Sequence, residues 1–179
     1  MIKLGIIGCC GKMGKRICLL AIDSGQFSIA AAVEKKGHPD IGKDIGMVCG
    51  KDATGTKIAD NLVSVIRSAD VLIDFSSPLS TINSIDMAKK NQKPLVIGTT
   101  GITDEEMRMI KPASKVIPIL VSPNMSLGVN LLFGIVGEVA SRLGDDYDIE
   151  IIETHHKMKK DAPSGTAKRL AESIVQARG

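Results

Sequence analysis

Apolar residues come along this chain in short runs, and between the runs they recur at helical spacing, so that the two patterns alternate from the first residue onward. Ile2 to Ile7 is an apolar run of strand length that ends in glycines. From Lys12 to Ser24 the positions Met13, Ile17, Leu20 and Ala21 lie on one helical face, and Gly25 supplies a stop. Phe27 to Val33 is apolar and continuous, as a strand covered on both faces should be. Lys35 to Thr56 breaks the rhythm with glycines among mixed polar residues and reads as a long loop. Val71 to Phe75 is the next strand. Pro78 then opens a helix to about Asn91, with Ser76 or Ser77 as its cap. Leu95 to Ile97 is a strand, Thr103-Asp104-Glu105-Glu106 is a capping box that starts another helix, and Lys115 to Val121 is one more strand.

After Asn124 the rhythm changes. Leu127 to Leu143 is one long helical stretch, Asp148 to Glu153 a single strand, and Thr166 to Arg178 a final helix. Strands alternating with helices imply a parallel sheet with right-handed crossovers, so residues 1–126 are expected to form a Rossmann-like, doubly wound α/β domain. Residues 127–179 are expected to begin an incomplete α+β domain, because a lone strand cannot make a sheet and leaves its edge unpaired. In doubly wound sheets ligands bind beyond the C-terminal strand ends. Four marked loops fall there: Gly8 to Gly14, Glu34 to Lys36, Gly98 to Gly101 and Ser122 to Ser126.

Composition narrows the function classes. Hydrophobic residues make up 44% and charged residues 24%, the balance of a soluble globular protein. A net charge of +3 with 2% aromatics shows neither the basic stripe nor the stacking surface of a nucleic-acid binder. Cys9, Cys10, Cys18 and Cys49 contain no C-x-x-C pair, and reduced thiols are expected. Ile6-Ile7-Gly8-Cys9 resembles a lipoprotein cleavage site, but the apolar run before it is far shorter than a signal sequence requires. No later stretch looks long enough to cross a membrane, and a cytoplasmic protein is expected.

Gly8-Cys9-Cys10-Gly11-Lys12-Met13-Gly14 joins the first strand to the first helix. Glycines there permit a tight turn and let backbone N–H groups approach a pyrophosphate at the positive helix end. The spacing is G-x-x-G-x-x-G, one step away from the commoner dinucleotide fingerprint, and a glycine-rich turn without a ligand is the alternative. Glu34 closes the second strand 20 residues after Gly14, where a dinucleotide fold places a carboxylate against the ribose hydroxyls. Lys35 and Lys36 follow and suit a 2′-phosphate, so NADH and NADPH both remain open; a solvated charge cluster is the plain alternative.

The segment from Glu153 to Ala167 concentrates reactive types. His155 and His156 are two of the three histidines, with Lys157, Lys159 and Lys160 beside them. Histidine titrates near neutral pH and can deliver a proton, while lysines hold an anionic substrate. Ser164-Gly165-Thr166 starts the last helix, where free N–H groups and hydroxyls suit a carboxylate, although Ser164 can also be a simple cap. Adjacent histidines diverge and no cysteine or acidic group has ligand spacing, so no metal is expected. No G-x-S-x-G supports a serine hydrolase.

The run Glu153-Thr154-His155-His156-Lys157-Met158-Lys159-Lys160-Asp161-Ala162-Pro163-Ser164-Gly165-Thr166-Ala167 resembles the hallmark of the 4-hydroxy-tetrahydrodipicolinate reductase family. Gly8-x-x-Gly11-x-Met13-Gly14, Val96 to Gly101 and Asn124 to Asn130 resemble the same family in the same order, spread over nearly the whole chain. The resemblance implies reduction of a cyclic imine dicarboxylate by NADH or NADPH in diaminopimelate and lysine biosynthesis. It implies that Gly8, Cys9, Cys10, Gly11, Lys12 and Met13 bind the pyrophosphate, Glu34 the ribose, and Lys35 the NADPH phosphate. Gly98, Thr99 and Thr100 with Ser122, Pro123, Asn124 and Met125 would line the nicotinamide end; Met125 stands where the family usually has Phe. His155 would be the proton donor and Lys159 its partner acid, with His156, Ser164, Gly165 and Thr166 on the substrate carboxylates. Family chains continue well past the equivalent of Gly179 and assemble as tetramers. The resemblance therefore implies that part of the substrate domain is absent here, with an inactive dinucleotide-binding module as the alternative reading.

Overall fold

Six parallel strands form one sheet: β1 (Ile2–Ile7), β2 (Phe27–Val33), β3 (Ile58–Ala59), β4 (Val71–Asp74), β5 (Leu95–Ile97) and β6 (Ile119–Val121), in the spatial order β3-β2-β1-β4-β5-β6. The computed structural model describes residues 1–155, 157 and 162–179 of the chain and divides it into two compact units, Met1–Ser122 and Pro123–Gly179. The sheet belongs to the first unit, with helices α1 (Lys12–Ser24), α2 (Ile45–Val48), α3 (Pro78–Lys90) and α4 (Asp104–Ala113). The second holds α5 (Leu127–Leu143) and α6 (Gly165–Arg178).

The strands read as largely apolar runs because successive side chains enter two different cores. Ile7, Ala31, Val33, Leu72 and Ile97 lie in the core with Ile85 and Ala88 of α3 and Ile110 and Ala113 of α4. Leu4, Ile6, Ile29 and Ala32 lie in the core with Cys18 and Ala21 of α1. Each valine, leucine or isoleucine side chain buried this fully contributes about 1.5–3 kcal/mol, and each alanine less. The strand order reverses between β1 and β4, which opens a crevice at the C-terminal strand ends.

The stretch expected as a loop, Lys35 to Thr56, holds one helical turn. Asp44 caps it, accepting from Gly46 N at 2.8 Å, Met47 N at 3.3 Å and Thr54 N at 3.0 Å, while Ile45 is fully buried. Ser77 is the N-terminal residue before α3 but makes no side-chain cap bond; Ser76 turns back to Asp74 instead. Thr103 and Glu106 form the expected capping box at α4. Lys115 to Val121 is strand only over its last three residues, because the turn that leaves α4 occupies the rest.

In the second unit α5 and α6 pack through Phe133, Gly137, Ala140 and Ala167. Gly137 lets the helices approach closely, since a Cβ there would stand 3.3 Å from the Ser173 carbonyl oxygen. Arg178 ties the end of α6 back through Nη2 to the Tyr147 carbonyl at 2.8 Å. The expected strand Asp148 to Glu153 does not form: these residues carry no regular secondary structure. A strand is made by its neighbour's N–H and C=O groups, and the described residues of this unit hold no second strand to supply them. The membrane expectation also needs correction. Leu127–Asp146, α5 with the 3₁₀ turn that follows it, is 20 residues long and apolar enough by length and composition to cross a membrane. Part of its apolar face packs on α6.

Candidate active site

The glycine loop leaves β1 against the end of β4. Gly8 has φ +76°, and a Cβ there would stand 2.5 Å from the Phe75 carbonyl oxygen. Its N–H and that of Cys9 both donate to the Val33 carbonyl, at 2.9 and 3.2 Å, which pins the loop to the end of β2. Gly14 closes it from the helix side: a Cβ would lie 2.1 Å from the Gly8 carbonyl oxygen and 2.7 Å from Cys9 Cα. Gly11 stands at the N-cap of α1 with no side-chain bond, and Gly11, Lys12 and Met13 are exposed. The first N–H groups of α1 thus meet solvent at the positive helix end, the donor set a pyrophosphate takes.

Glu34 continues directly from β2. Its Oε2 accepts from Cys10 N at 3.1 Å and its Oε1 from Lys35 N at 3.0 Å. Beside it opens a cavity of ≈ 550 Å³, lined by Gly8, Glu34, Lys35, Asn61, Ser76 and Ser80 among others. A carboxylate, an adjacent lysine and a glycine cradle that any Cβ would fill are the features a dinucleotide needs, and the residues present fit one.

The neighbouring loop, Gly98 to Gly101, follows β5, and Gly98 N donates to the Asp74 carbonyl at 2.9 Å. The Phe75 ring lies across Gly98, where a Cβ would stand 2.1 Å from Phe75 Cζ. Thr99 is buried, and its hydroxyl is spent inside the protein: it accepts from Thr81 Oγ1 at 2.9 Å and Ser76 N at 3.1 Å and donates to Asp74 Oδ1 at 3.3 Å. Thr100 is exposed, and Ser122 follows β6 with its N–H on the Ile97 carbonyl at 3.1 Å. Asp74 is fully buried, and Oδ2 has no hydrogen-bond partner. Burial pushes its pKa above the ordinary carboxylate value, against the opposing pull of the Ser76, Ser84 and Thr81 hydroxyls. Sequence reasoning passed over Asp74 and Phe75; the signal available was their place at the end of a strand facing the same crevice.

Pro123, Asn124 and Met125 belong to the second unit. Asn124 Nδ2 donates to Thr166 Oγ1 at 3.2 Å, while Asn124 Oδ1 accepts from Ser126 N at 2.9 Å. Its carbonyl accepts from Asn130 Nδ2 at 2.9 Å. Pro123 approaches Gly165, where a Cβ would lie 3.5 Å from Pro123 Cβ. Ser164 is buried and caps α6, its Oγ accepting from Ala167 N at 3.1 Å. Glu153, to which sequence reasoning assigned no role although it opens the reactive run, joins that run's two ends. Its Oε1 accepts from Ser164 N at 2.8 Å, and its Oε2 lies 2.7 Å from His155 Nε2. The hydrogen bonds from Ser164 and from His155 hold the Glu153 carboxyl down to about 2. The carboxylate thus fixes one ring nitrogen of an exposed histidine beside the positive end of a helix. His156 and Lys159, expected as substrate ligand and partner acid, lie outside the described residues.

The family model for the N-terminal part of dihydrodipicolinate reductase matches residues 2–125, and that for the C-terminal part matches residues 128–179. The 4-hydroxy-tetrahydrodipicolinate reductases of Geotalea uraniireducens and Syntrophus aciditrophicus are 43% and 44% identical over all 179 residues. The chain spans 67% of the length of each. A dipicolinate-bound dihydrodipicolinate reductase from Paenisporosarcina sp. TG-14 superposes with a TM-score of 0.75 at 28% identity, covering 99% of this chain and 67% of that one. An oxidoreductase from Agrobacterium radiobacter in complex with NAD+, L-tartaric acid and magnesium shares the fold, with a TM-score of 0.51 at 16% identity over 79% of this chain and 39% of that one. With both of its parts matched by the family models and its length covered by these relatives, the chain belongs to the dihydrodipicolinate reductase family.

Proposed function

We propose that this chain reduces 4-hydroxy-tetrahydrodipicolinate to tetrahydrodipicolinate with NADH or NADPH, in the diaminopimelate route to lysine. The observation that carries the reading is the Glu153 carboxylate, which binds both His155 and the Ser164 N–H and so sets a proton donor beside an anion-binding helix start. A dinucleotide cradle occupies the other unit of the same chain.

Gly8 to Met13 form the pyrophosphate cradle; its N–H donors are those of Lys12 and Met13, joined by that of Cys10 once Glu34 releases it, because those of Gly8, Cys9 and Gly11 are bonded within the protein. Glu34 gives up its bond from Cys10 N to accept the ribose hydroxyls, and Lys35 accommodates a 2′-phosphate. Gly98 to Thr100 and Ser122 to Met125 line the nicotinamide end. The bound cofactor supplies a hydride to the conjugated ring left when the substrate loses its hydroxyl as water. Ser164, Gly165, Thr166 and His156 hold the two carboxylates. His155 delivers the proton with Lys159 as its partner acid, and a positioned acid of this kind contributes about 10²–10⁴-fold. The substrate is a small molecule, and we place the enzyme in the cytoplasm; the homotetramer is expected of the full-length family chains.

The test is cofactor oxidation by the 179-residue chain, with substrate generated by the upstream synthase and His155→Ala run beside it. Turnover that His155→Ala lowers at least about a hundredfold supports the reading. Turnover indifferent to His155 refutes the assigned chemistry. Cofactor binding without turnover makes the chain a dinucleotide-binding module of the same family.

A further inference from the structure

Cys10 has neighbours for which the reductase reaction has no use. One donor atom from each of Cys10, His38 and Asp40 lies within 4.8 Å of the other two, and all three residues are half-buried. The sequence offers no ligand spacing here, because Cys10 follows β1 and the other two follow β2; parallel pairing of the strands puts both loops at one edge. The geometry is held in place. His38 Nδ1 accepts from Asp40 N at 3.2 Å and stands 3.9 Å from Asp40 Oδ2, so the ring is kept beside the carboxylate. His38 N donates to the Lys35 carbonyl at 3.1 Å, which anchors the turn to the end of β2. Cys10 is anchored from its own side by its N–H on Glu34.

We propose that Cys10, His38 and Asp40 form a capture site for a thiophilic divalent cation such as Zn²⁺, and that its occupation excludes the dinucleotide. Thiolate, imidazole and carboxylate are a donor set such an ion takes, leaving a fourth position for water. Bonds of about 2.0–2.3 Å draw tetrahedral donors to roughly 3.3–3.8 Å of one another, a closure that side-chain rotation supplies. The thiol proton leaves to solvent, and the two anions then balance the ion. Asp40 must exchange its exposed partner Lys43, a pair with little hold on it.

Exclusion follows from the other side of Cys10. Its sulfur also lies within 4.8 Å of a Glu34 carboxylate oxygen and of Cys9. An ion on Cys10 attracts that carboxylate, which then no longer accepts ribose hydroxyls and stays on the Cys10 N–H instead of releasing it. This part rests on the dinucleotide assignment made above.

Co²⁺ reports the site directly in the reduced 179-residue chain. Tetrahedral visible absorption and a near-ultraviolet thiolate-to-cobalt band are expected. Cys10→Ser should abolish the band, His38→Ala and Asp40→Ala should each weaken binding by about tenfold or more, and Cys49→Ser should leave it intact. Absence of the band, or its survival in Cys10→Ser, overturns the site. NADH fluorescence titrations then test exclusion: Zn²⁺ should raise the apparent Kd about tenfold or more in the parent but not in His38→Ala, which binds NADH normally without metal. Unchanged or tighter NADH binding with Zn²⁺ bound overturns the exclusion. If NADH fails to bind even without metal, the dinucleotide assignment is what fails, and the cobalt spectrum still judges the site.

Discussion

Gly14→Ala tests whether the glycine loop owes its shape to contact with the first turn of α1. The new Cβ would stand 2.1 Å from the Gly8 carbonyl oxygen, 2.7 Å from Cys9 Cα and 2.9 Å from the Cys9 carbonyl carbon, all backbone atoms that no rotamer change can remove. A carbon–oxygen contact settles at about 3.3 Å, so loop and helix must part by about 1.2 Å. Overpacking of this kind costs about 1–3 kcal/mol, which at roughly 2–4 °C per kcal/mol lowers Tm by roughly 2–12 °C. The same shift carries the Lys12 and Met13 amides of the first turn away from the pyrophosphate. A hydrogen bond to a charged group is worth about 1.5–3 kcal/mol, so losing one lowers NADH affinity by about tenfold or more. Gly134→Ala is the control, since a Cβ there meets nothing within 4 Å and the substitution should be neutral or stabilising by up to about 1 kcal/mol. Fluorescence titration with NADH beside thermal unfolding separates the possibilities. Unchanged Tm and an NADH Kd within about twofold of the parent would refute the close-contact argument. A lowered Tm with unchanged Kd would show that the helix yields and the loop does not.

Glu153→Gln keeps the shape of the side chain and its oxygen can stay on the Ser164 N–H, but its amide N–H then faces His155 Nε2, which must accept and can no longer donate from that nitrogen. Steady-state kinetics should show kcat down roughly tenfold to a hundredfold with cofactor Kd unchanged; an unaltered kcat would remove Glu153 from the positioning of His155. Because the Glu153 carboxyl is lowered from 4.5 to about 2, the stability it contributes is present above 4.5 and lost as pH falls through 2. Acid loosening of the Pro123–Gly179 unit over that interval should therefore be weaker in the variant, as followed by circular dichroism. Asp74 has the opposite sign. Burial raises its pKa above 3.8, so the folded state binds the proton better than the unfolded state, and stability falls as pH rises from 3.8 through the folded value. Asp74→Asn, which removes the buried charge, should raise Tm at pH 7 and lose that advantage below pH 3.8. A variant less stable than the parent at pH 7 would mean that the carboxylate is better solvated by its hydroxyl neighbours than its unpartnered Oδ2 indicates.

Much of the first unit was legible because its strands are buried on both faces. Ile2 to Ile7 and Phe27 to Val33 are mostly apolar, with Lys3 and Ser28 only near their more exposed starts, and their boundaries match the strands observed. Short elements were not legible. The turn Ile45–Val48 is too brief for any periodicity and exists because Asp44 caps it and Ile45 is buried against the core below α1. The two residues of β3 become a strand only through pairing with Ala32 and Val33. Asp148 to Glu153 marks the converse limit: its residues suit a strand, but a strand is completed by a neighbour, and no run of side chains records whether one is there.

The sequence by itself determined which chemistry this protein can carry, since glycines, a carboxylate after the second strand, and histidines beside a helix start are matters of residue type and local spacing. Only the tertiary structure decided which of those groups touch. Glu153 reaches Ser164 across 11 positions, Thr99 turns its hydroxyl toward Thr81 and Asp74, and Cys10 comes to His38 and Asp40. Local preference acts over one turn or one strand, whereas those contacts are made by the pairing of strands and the packing of helices that bring distant loops to a common edge.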